Sequence, residues 1–284
     1  MTAIVESERP RAAALPAHLG IRFHRVRVRD LSVTASLSLF ESMRQVAAAA
    51  VRSDLGDSSW LEERWRARWL EFRGLTTFTA YAGNQLVGFM WVTHRTVSPL
   101  NFVQLQAAYI LPEFQGQGVG FALNARMFFR EIAFQPRRST FIIADVVSPI
   151  ALHGWRSRAR LSGSFYPVIH DDGPVPTVLR SAACQAAREF YGDARFNPST
   201  GVLHERTAPR PQSYRWSGDG QVDRYFRDLV SAQDGDACLV VMRPRPVEVI
   251  CNTDRVLGAV RRLARKPAAG DIPPQVARKE VSGE

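Results

Sequence analysis

Between Asn101 and Arg130 an apolar run meets a proline, a glycine-dense loop follows, and a helical pattern begins. The run is Asn101-Phe-Val-Gln-Leu-Gln-Ala-Ala-Tyr-Ile-Leu-Pro112. The loop is Glu113-Phe-Gln-Gly-Gln-Gly-Val-Gly120, and Phe121-Ala-Leu-Asn-Ala-Arg-Met-Phe-Phe-Arg130 continues as a helix. Strand, glycine loop and helix together make an anion site. Residues without Cβ let backbone N–H groups turn toward one point, and the helix N-terminus adds the positive end of its dipole. A phosphate or pyrophosphate fits there without a lysine.

The spacing of Gly116, Gly118 and Gly120 narrows the choice. A dinucleotide-binding loop needs G-x-G-x-x-G, and a P-loop needs a lysine that this region lacks. Gln115-Gly-Gln-Gly118-Val-Gly120 fits Q/R-x-x-G-x-G/A. Following a strand that ends Tyr109-Ile-Leu-Pro112, it resembles the acyl-CoA loop of the GNAT acetyltransferase superfamily. Without that resemblance the stretch reads as a helix-entry turn that binds nothing.

The order of elements agrees with the resemblance. Residues 1–20 are Ala, Arg and Pro without period, a flexible arm. Ile21 to Val28 alternates as an edge strand, and Leu37, Phe40, Met43, Val46 and Ala47 recur at helical spacing, predicting a helix over 35–54. A second helix over 60–73 carries Trp60, Trp65, Trp69 and Phe72, a stripe read as core. Strands 76–82, 86–97 and 102–111, joined by turns at Gly83-Asn84 and Ser98-Pro99, form an antiparallel meander. A helix from 119 to 134 crosses to Thr140–Val147, a buried parallel strand. A short helix over 150–160 and strand 164–169 follow, and Ala237–Arg243 is the final strand.

The expected fold is thus α/β (α+β): a GNAT-like central mixed sheet flanked by helices over 21–244, with a large insertion, 171–235, between the last two strands. The insertion holds helices over 177–191 and 221–230 and a turn at Asn197-Pro-Ser-Thr-Gly201. A basic amphipathic helix at 254–265 lies in a C-terminal segment, 245–266, and a disordered tail over 267–284 closes the chain.

Composition excludes several classes. The net charge is +10, carried by 35 Arg and 2 Lys spread along the chain, without an RNA-binding or zinc-finger motif. No nucleic-acid partner is expected. Cys184, Cys238 and Cys251 are scattered and odd in number, so neither a disulfide framework nor a metal site is expected. No apolar run approaches a membrane span, and no secretory apolar segment opens the chain. A cytoplasmic protein is the expectation.

The resemblance implies direct acyl transfer from acetyl-CoA or another acyl-CoA to an amine. The backbone of Gln115, Gly116, Gln117, Gly118, Val119 and Gly120 would hold the pyrophosphate. The pantetheine arm would lie beside the strand of Tyr109, Ile110 and Leu111, where loss of pairing to Thr140–Val147 would open a cleft. A backbone N–H near Tyr109 or Ile110 would polarise the thioester. For the base, Asp145 inside an apolar strand is the first candidate; the same carboxylate could instead be structural, paired with one of the many arginines. His94 is the second. Many family members carry N-x-x-A-x-x-L-Y, with the Tyr as acid. Here Ser148-Pro-Ile-Ala151-Leu-His-Gly-Trp155 puts Trp155 in that place, and Tyr166 or His153 would have to substitute.

Function is therefore expected as N-acylation of a small-molecule amine, with no metal and with a homodimer an open possibility. A non-catalytic acyl-CoA-binding module and an acyltransferase using carrier-protein thioesters are the competing readings. In 171–235, Phe190, Tyr191, Phe196, Trp216, Tyr225 and Phe226 sit among Arg188, Arg195, Arg206 and Arg215, which suits a pocket for an anionic or carboxylate-bearing acceptor; a packed subdomain or dimer interface is the other reading.

Overall fold

The computed structural model describes residues 20–55, 65, 72, 74–133, 140–169, 174–192, 195–207 and 216–245. The arm, the C-terminal helix and tail, and most of the helix expected over 60–73 lie outside these residues.

The elements are β1 (Ile21–Arg27), α1 (Val33–Leu55), β2 (Thr76–Ala82), β3 (Gln85–Val97), β4 (Leu100–Ile110), α2 (Val119–Phe128), β5 (Thr140–Val146), α3 (Pro149–Ser162), β6 (Gly163–Tyr166), α4 (Thr177–Tyr191), β7 (Phe196–Asn197), β8 (Val202–Leu203), α5 (Gly220–Leu229) and β9 (Ala237–Pro244). Among the described residues they build one mixed sheet of nine strands, in the order β1-β2-β3-β4-β5-β9-β8-β7, with β6 also on β9. All pairings are antiparallel except β4 with β5. That parallel step follows from the chain: α2 is the crossover a parallel pair requires.

Alternation along the strands sorts the side chains onto two faces. On one face Trp91 stacks on Phe40 of α1 and packs with Trp65 and Phe72, all buried. The tryptophan stripe is core at Trp65; Trp60 and Trp69 are outside the described residues. On the same face, further along, Phe102, Phe141, Ile143, Leu239 and Val241 receive α4 through Leu179, Ala182, Ala183, Ala186 and Ala187. Small residues at helical spacing let this helix lie close against the sheet. The opposite face takes α2, and then α3 and α5, through Val119, Leu123, Met127, Leu152, Trp155, Val222 and Phe226.

The insertion is built into the sheet. Its hairpin β7–β8 joins the sheet, with Val202 opposite Cys238 and Leu203 opposite Ala237. Both of its helices contribute buried side chains. Two-residue strands carry too little alternation to be recognised from sequence, whereas the turn between them was visible in Asn197-Pro-Ser-Thr-Gly201. Two other boundaries shift. β6 ends at Tyr166 rather than 169, and α2 gives way to a π-helical turn over Phe129–Ala133.

Candidate active site

The parallel ladder between β4 and β5 starts at Asn101 opposite Thr140 and ends at Leu105 opposite Ala144. β4 nevertheless runs on to Ile110 and β5 to Val146. The two strands part over these last residues. A bulge contributes to the divergence: Trp91 pairs with Ala107 and Val92 with Leu105, leaving Gln106 as the extra residue on β4. The sequence expectation that pairing is lost beside 107–111 corresponds to this geometry.

Directly beyond β4 stands the glycine loop. Gly116 and Gly118 have φ of 72° and 84°, the left-handed region where a Cβ is strained. Gly118 is the N-cap of α2 and no side chain caps the helix. The first-turn N–H groups of α2 therefore face outward, as an anion would need. Gln115 Nε2 donates to the Ile110 carbonyl at 3.1 Å, and Gln117 Nε2 to the Glu113 carbonyl at 2.6 Å, so both glutamines fasten the loop to itself and to β4. A Cβ on Gly120 would stand 2.8 Å from Ile110 Cδ1, and one on Gly88 would stand 3.2 Å from Ile110 Cγ1. These two glycines let the N-terminus of α2 sit close over β3 and β4. Gly88 was missed in the sequence; a lone glycine within an apolar strand was the available signal.

The Leu111 N–H is committed to the Val87 carbonyl at 2.9 Å, on the β3 side. By strand alternation the Ile110 N–H turns the other way, toward the side that β5 has left. Tyr109 lies on the face of Phe89, with ring centroids 5.7 Å apart. Of the two backbone donors expected from sequence, alternation favours Ile110.

On the face shared by Trp91 and α4, polar side chains gather around the parting strands. Gln104 is buried, and its Oε1 accepts from Thr93 Oγ1 at 3.4 Å and from Gln106 Nε2 at 3.3 Å. Gln106 Nε2 also reaches Thr93 Oγ1 at 3.3 Å, and Gln104 Nε2 reaches the Tyr191 hydroxyl at 3.5 Å. The Arg206 guanidinium lies 4.7 Å over the Tyr191 ring, and Arg206 Nε is 3.3 Å from Asp145 Oδ2. Asp145 occupies β5 one residue past the last paired position. Thr93, Gln104, Gln106, Tyr191 and Arg206 thus form a cluster with Asp145, of which the sequence reading singles out Asp145 alone as a candidate base. Gln104-Leu-Gln106 inside an apolar strand was the local signal; the contribution of Tyr191 and Arg206 needed the tertiary structure.

The other sequence candidates lie elsewhere. His94 Nε2 is 2.7 Å from Glu131 Oε2, on the opposite face and at the end of α2 remote from the glycine loop. Arg25 Nε meets the same carboxylate at 2.8 Å. Burial by itself would raise the Glu131 pKa, but the hydrogen bonds and charges of His94 and Arg25 together bring it below the usual glutamate value. His94 is thereby a partner of a buried carboxylate. His153 Nδ1 lies 3.2 Å from Asp219 Oδ2, the N-cap of α5, and Arg156 shares that oxygen at 3.2 Å. His153 therefore serves the contact between α3 and α5. Tyr166 is 1% exposed, its hydroxyl donates to the Pro198 carbonyl at 3.0 Å, and burial pushes its pKa far up. A phenol so committed joins the sheet to the insertion and is a poor acid. Trp155, where the family pattern has its tyrosine, is buried in the core. Asp145 alone of the proposed acid–base residues is near the parting strands. Among the described residues, no group of His, Cys, Asp or Glu could hold a metal ion.

A strand pair that splits before an uncapped, glycine-entered helix is the acyl-CoA geometry of the GNAT acyltransferases. Residues 40–152 match the model of the acetyltransferase (GNAT) family. This stretch runs from α1 to the first turn of α3 and has the pattern of a GNAT acetyltransferase domain. No curated protein matches the sequence. Similar solved structures include a GNAT family acetyltransferase from Brucella melitensis in complex with acetyl-CoA: 18% identity over 45% of this chain and 76% of that one, TM-score 0.34. An aminoglycoside acetyltransferase from an uncultured soil metagenomic sample, in complex with sisomicin, is 15% identical over 55% of this chain and 97% of its own, TM-score 0.37. The PaiA N-acetyltransferase of Thermoplasma acidophilum in complex with coenzyme A is 12% identical over 54% and 94%, TM-score 0.36. These are weak likenesses.

Proposed function

We propose that the protein transfers the acyl group of acetyl-CoA or a related acyl-CoA directly to a small-molecule amine. One observation carries this reading: the β4–β5 ladder ends at Leu105 and Ala144, while β4 runs on unpaired with β5 to Ile110 and leads through the glycine loop into the uncapped α2. The pyrophosphate would sit on the N–H groups from Gly116 to Gly120. The pantetheine amides would pair with β4 where β5 has departed, which brings the thioester toward the Ile110 N–H. That donor would stabilise the oxygen of the tetrahedral intermediate.

The amine arrives as an ammonium ion and must lose a proton before its nitrogen attacks the thioester carbon. The new C–N bond forms, the C–S bond breaks, and the second amine proton is lost as the amide forms. The leaving thiolate takes a proton from solvent. Asp145 would accept from the ammonium; Gln104 and Gln106 are neutral and cannot take the proton. No nucleic-acid or membrane partner is needed, and no described helix is long and apolar enough to cross a membrane. A reducing, cytoplasmic setting fits the scattered cysteines.

A second reading keeps the fold as an acyl-CoA-binding module without turnover. It is favoured by Trp155 in the core and by the commitments of Tyr166 and His153, which leave no described side chain as acid near the thioester. One experiment separates the two. Acyl-CoA affinity is measured by calorimetry, and CoA release is followed with acetyl-CoA across a panel of amines. Binding with amine-dependent CoA release supports transfer, and binding without release from any amine supports the module. The same assay with an acyl-carrier protein in place of acetyl-CoA tests the carrier-protein donor.

A further inference from the structure

We infer that the acceptor is zwitterionic, an α-amino acid or a molecule ending in one, and that Asp145 and Arg206 read its two charges. This rests on the acyltransfer reading and deepens it. Asp145 Oδ2 and Arg206 Nε are 3.3 Å apart, so the two charges are in contact. Yet Arg206 Nε is buried without an acceptor in hydrogen-bonding geometry among the described residues. The charges attract, but the guanidinium does not spend its Nε donor on the carboxylate. Both groups are partly open to solvent, 11% for Asp145 and 25% for Arg206.

In an α-amino acid the bonds through Cα hold the ammonium nitrogen and the nearer carboxylate oxygen about 3 Å apart. That separation matches the spacing of the protein's own pair. Laid head to tail against it, the ligand's ammonium meets Asp145 while its carboxylate meets Arg206, so four charges alternate around a ring. Each contact is a charge-assisted hydrogen bond, and neither partner's charge is left unpaired on binding. The Tyr191 ring lies under the Arg206 guanidinium, its centroid 4.7 Å from the guanidinium carbon, a cation–π contact that holds the group in place. Gln104, buried beside Tyr191, is bonded to the Tyr191 hydroxyl and to Gln106, which fixes this wall. The ammonium end then lies at β5 immediately beyond the last paired residue, where the thioester of an acyl-CoA between the strands is reached. A simple monoamine satisfies Asp145 only and leaves Arg206 competing for it.

The test uses the full chain, acetyl-CoA, and matched acceptors: free α-amino acids, the corresponding amino-acid amides, and the amines lacking the carboxylate carbon. Wild-type kcat/KM is expected to favour the free amino acids by about tenfold or more. Arg206→Gln should abolish that preference, chiefly through KM, with acetyl-CoA affinity unchanged, and Arg206→Lys should restore part of it. Tyr191→Phe, which keeps the ring under the guanidinium, should retain the preference. Equal turnover of acids and amides, or a preference that survives Arg206→Gln, overturns the assignment and leaves the acyltransfer reading standing. Bound acetyl-CoA with no turnover of any amine overturns both.

Discussion

Arg206 reaches Asp145 from the far side of the chain's long insertion, bringing its guanidinium nitrogen to 3.3 Å from the carboxylate. Asp145 belongs to β5, at the edge of the gap that β4 and β5 open. The insertion is therefore not peripheral to the site. Tyr191 at the end of α4 and Arg206 after β8 form one wall of it, while Leu179, Val222 and Phe226 of the same insertion are buried in the core. Replacing the whole of 171–235 would remove core and site together, so single substitutions are the informative ones.

Gly118→Glu should weaken acetyl-CoA binding by roughly thirtyfold or more. The new carboxylate would repel a pyrophosphate held at the loop, and a left-handed φ costs a non-glycine residue about 1 kcal/mol besides. Gly118→Asn, which tolerates that backbone without adding charge, should bind far better than the glutamate variant. Calorimetry with both, alongside circular dichroism, separates charge from strain; equal affinity for wild type and the glutamate variant would remove the loop from the binding site.

Asp145→Asn should lower kcat/KM for the amine while acetyl-CoA affinity stays within a few-fold. Its stability cost should be about 1 kcal/mol, as for a partly exposed ion pair. Steady-state kinetics and thermal denaturation check the two halves. A variant of full activity would make the residue purely a partner of Arg206.

Tyr166→Phe should leave the pH profile of kcat unchanged and cost about 1 kcal/mol of stability through the lost bond to Pro198. A loss of the alkaline limb of the profile would instead return Tyr166 to the role of acid.

Glu131→Gln should destabilise the protein by about 2 kcal/mol at neutral pH, because a buried carboxylate with two cationic partners is replaced by an amide. The folded pKa of Glu131 is lowered. Its stabilisation is therefore fully present above the unfolded value of about 4.3 and is lost as pH falls through the folded value. Denaturation midpoints of wild type and variant should converge as the pH is taken below 4. A gap that stays constant with pH would mean that the carboxylate's charge is not what stabilises.

Local chemistry wrote the loop, the meander and the crossover into the sequence. Gly116 and Gly118 stand at the positive-φ positions of the loop, and Thr76–Ala82 came out at the bounds its composition implied. Periodicity also gave α4 and α5 inside the insertion, since Leu179, Ala182, Ala183 and Ala186 repeat at helical spacing whatever they pack against. The partners of the polar residues were not legible in this way. Asp145 and Arg206 are 61 positions apart, and Gln104 and Tyr191 are 87 apart. No periodicity links such pairs, and an apolar strand shows a carboxylate but not which cation faces it. His94 as a candidate base and His153 and Tyr166 as candidate acids were read as single residues, and each proved committed to a partner from another element: Glu131, Asp219 and the Pro198 carbonyl. The sequence by itself determined the longer elements and the glycine loop, because both depend on neighbours within a few residues. Which polar groups meet at the parted strands was decided by the tertiary structure, through the bulge at Gln106, the early end of the β4–β5 ladder and the return of the insertion onto β9.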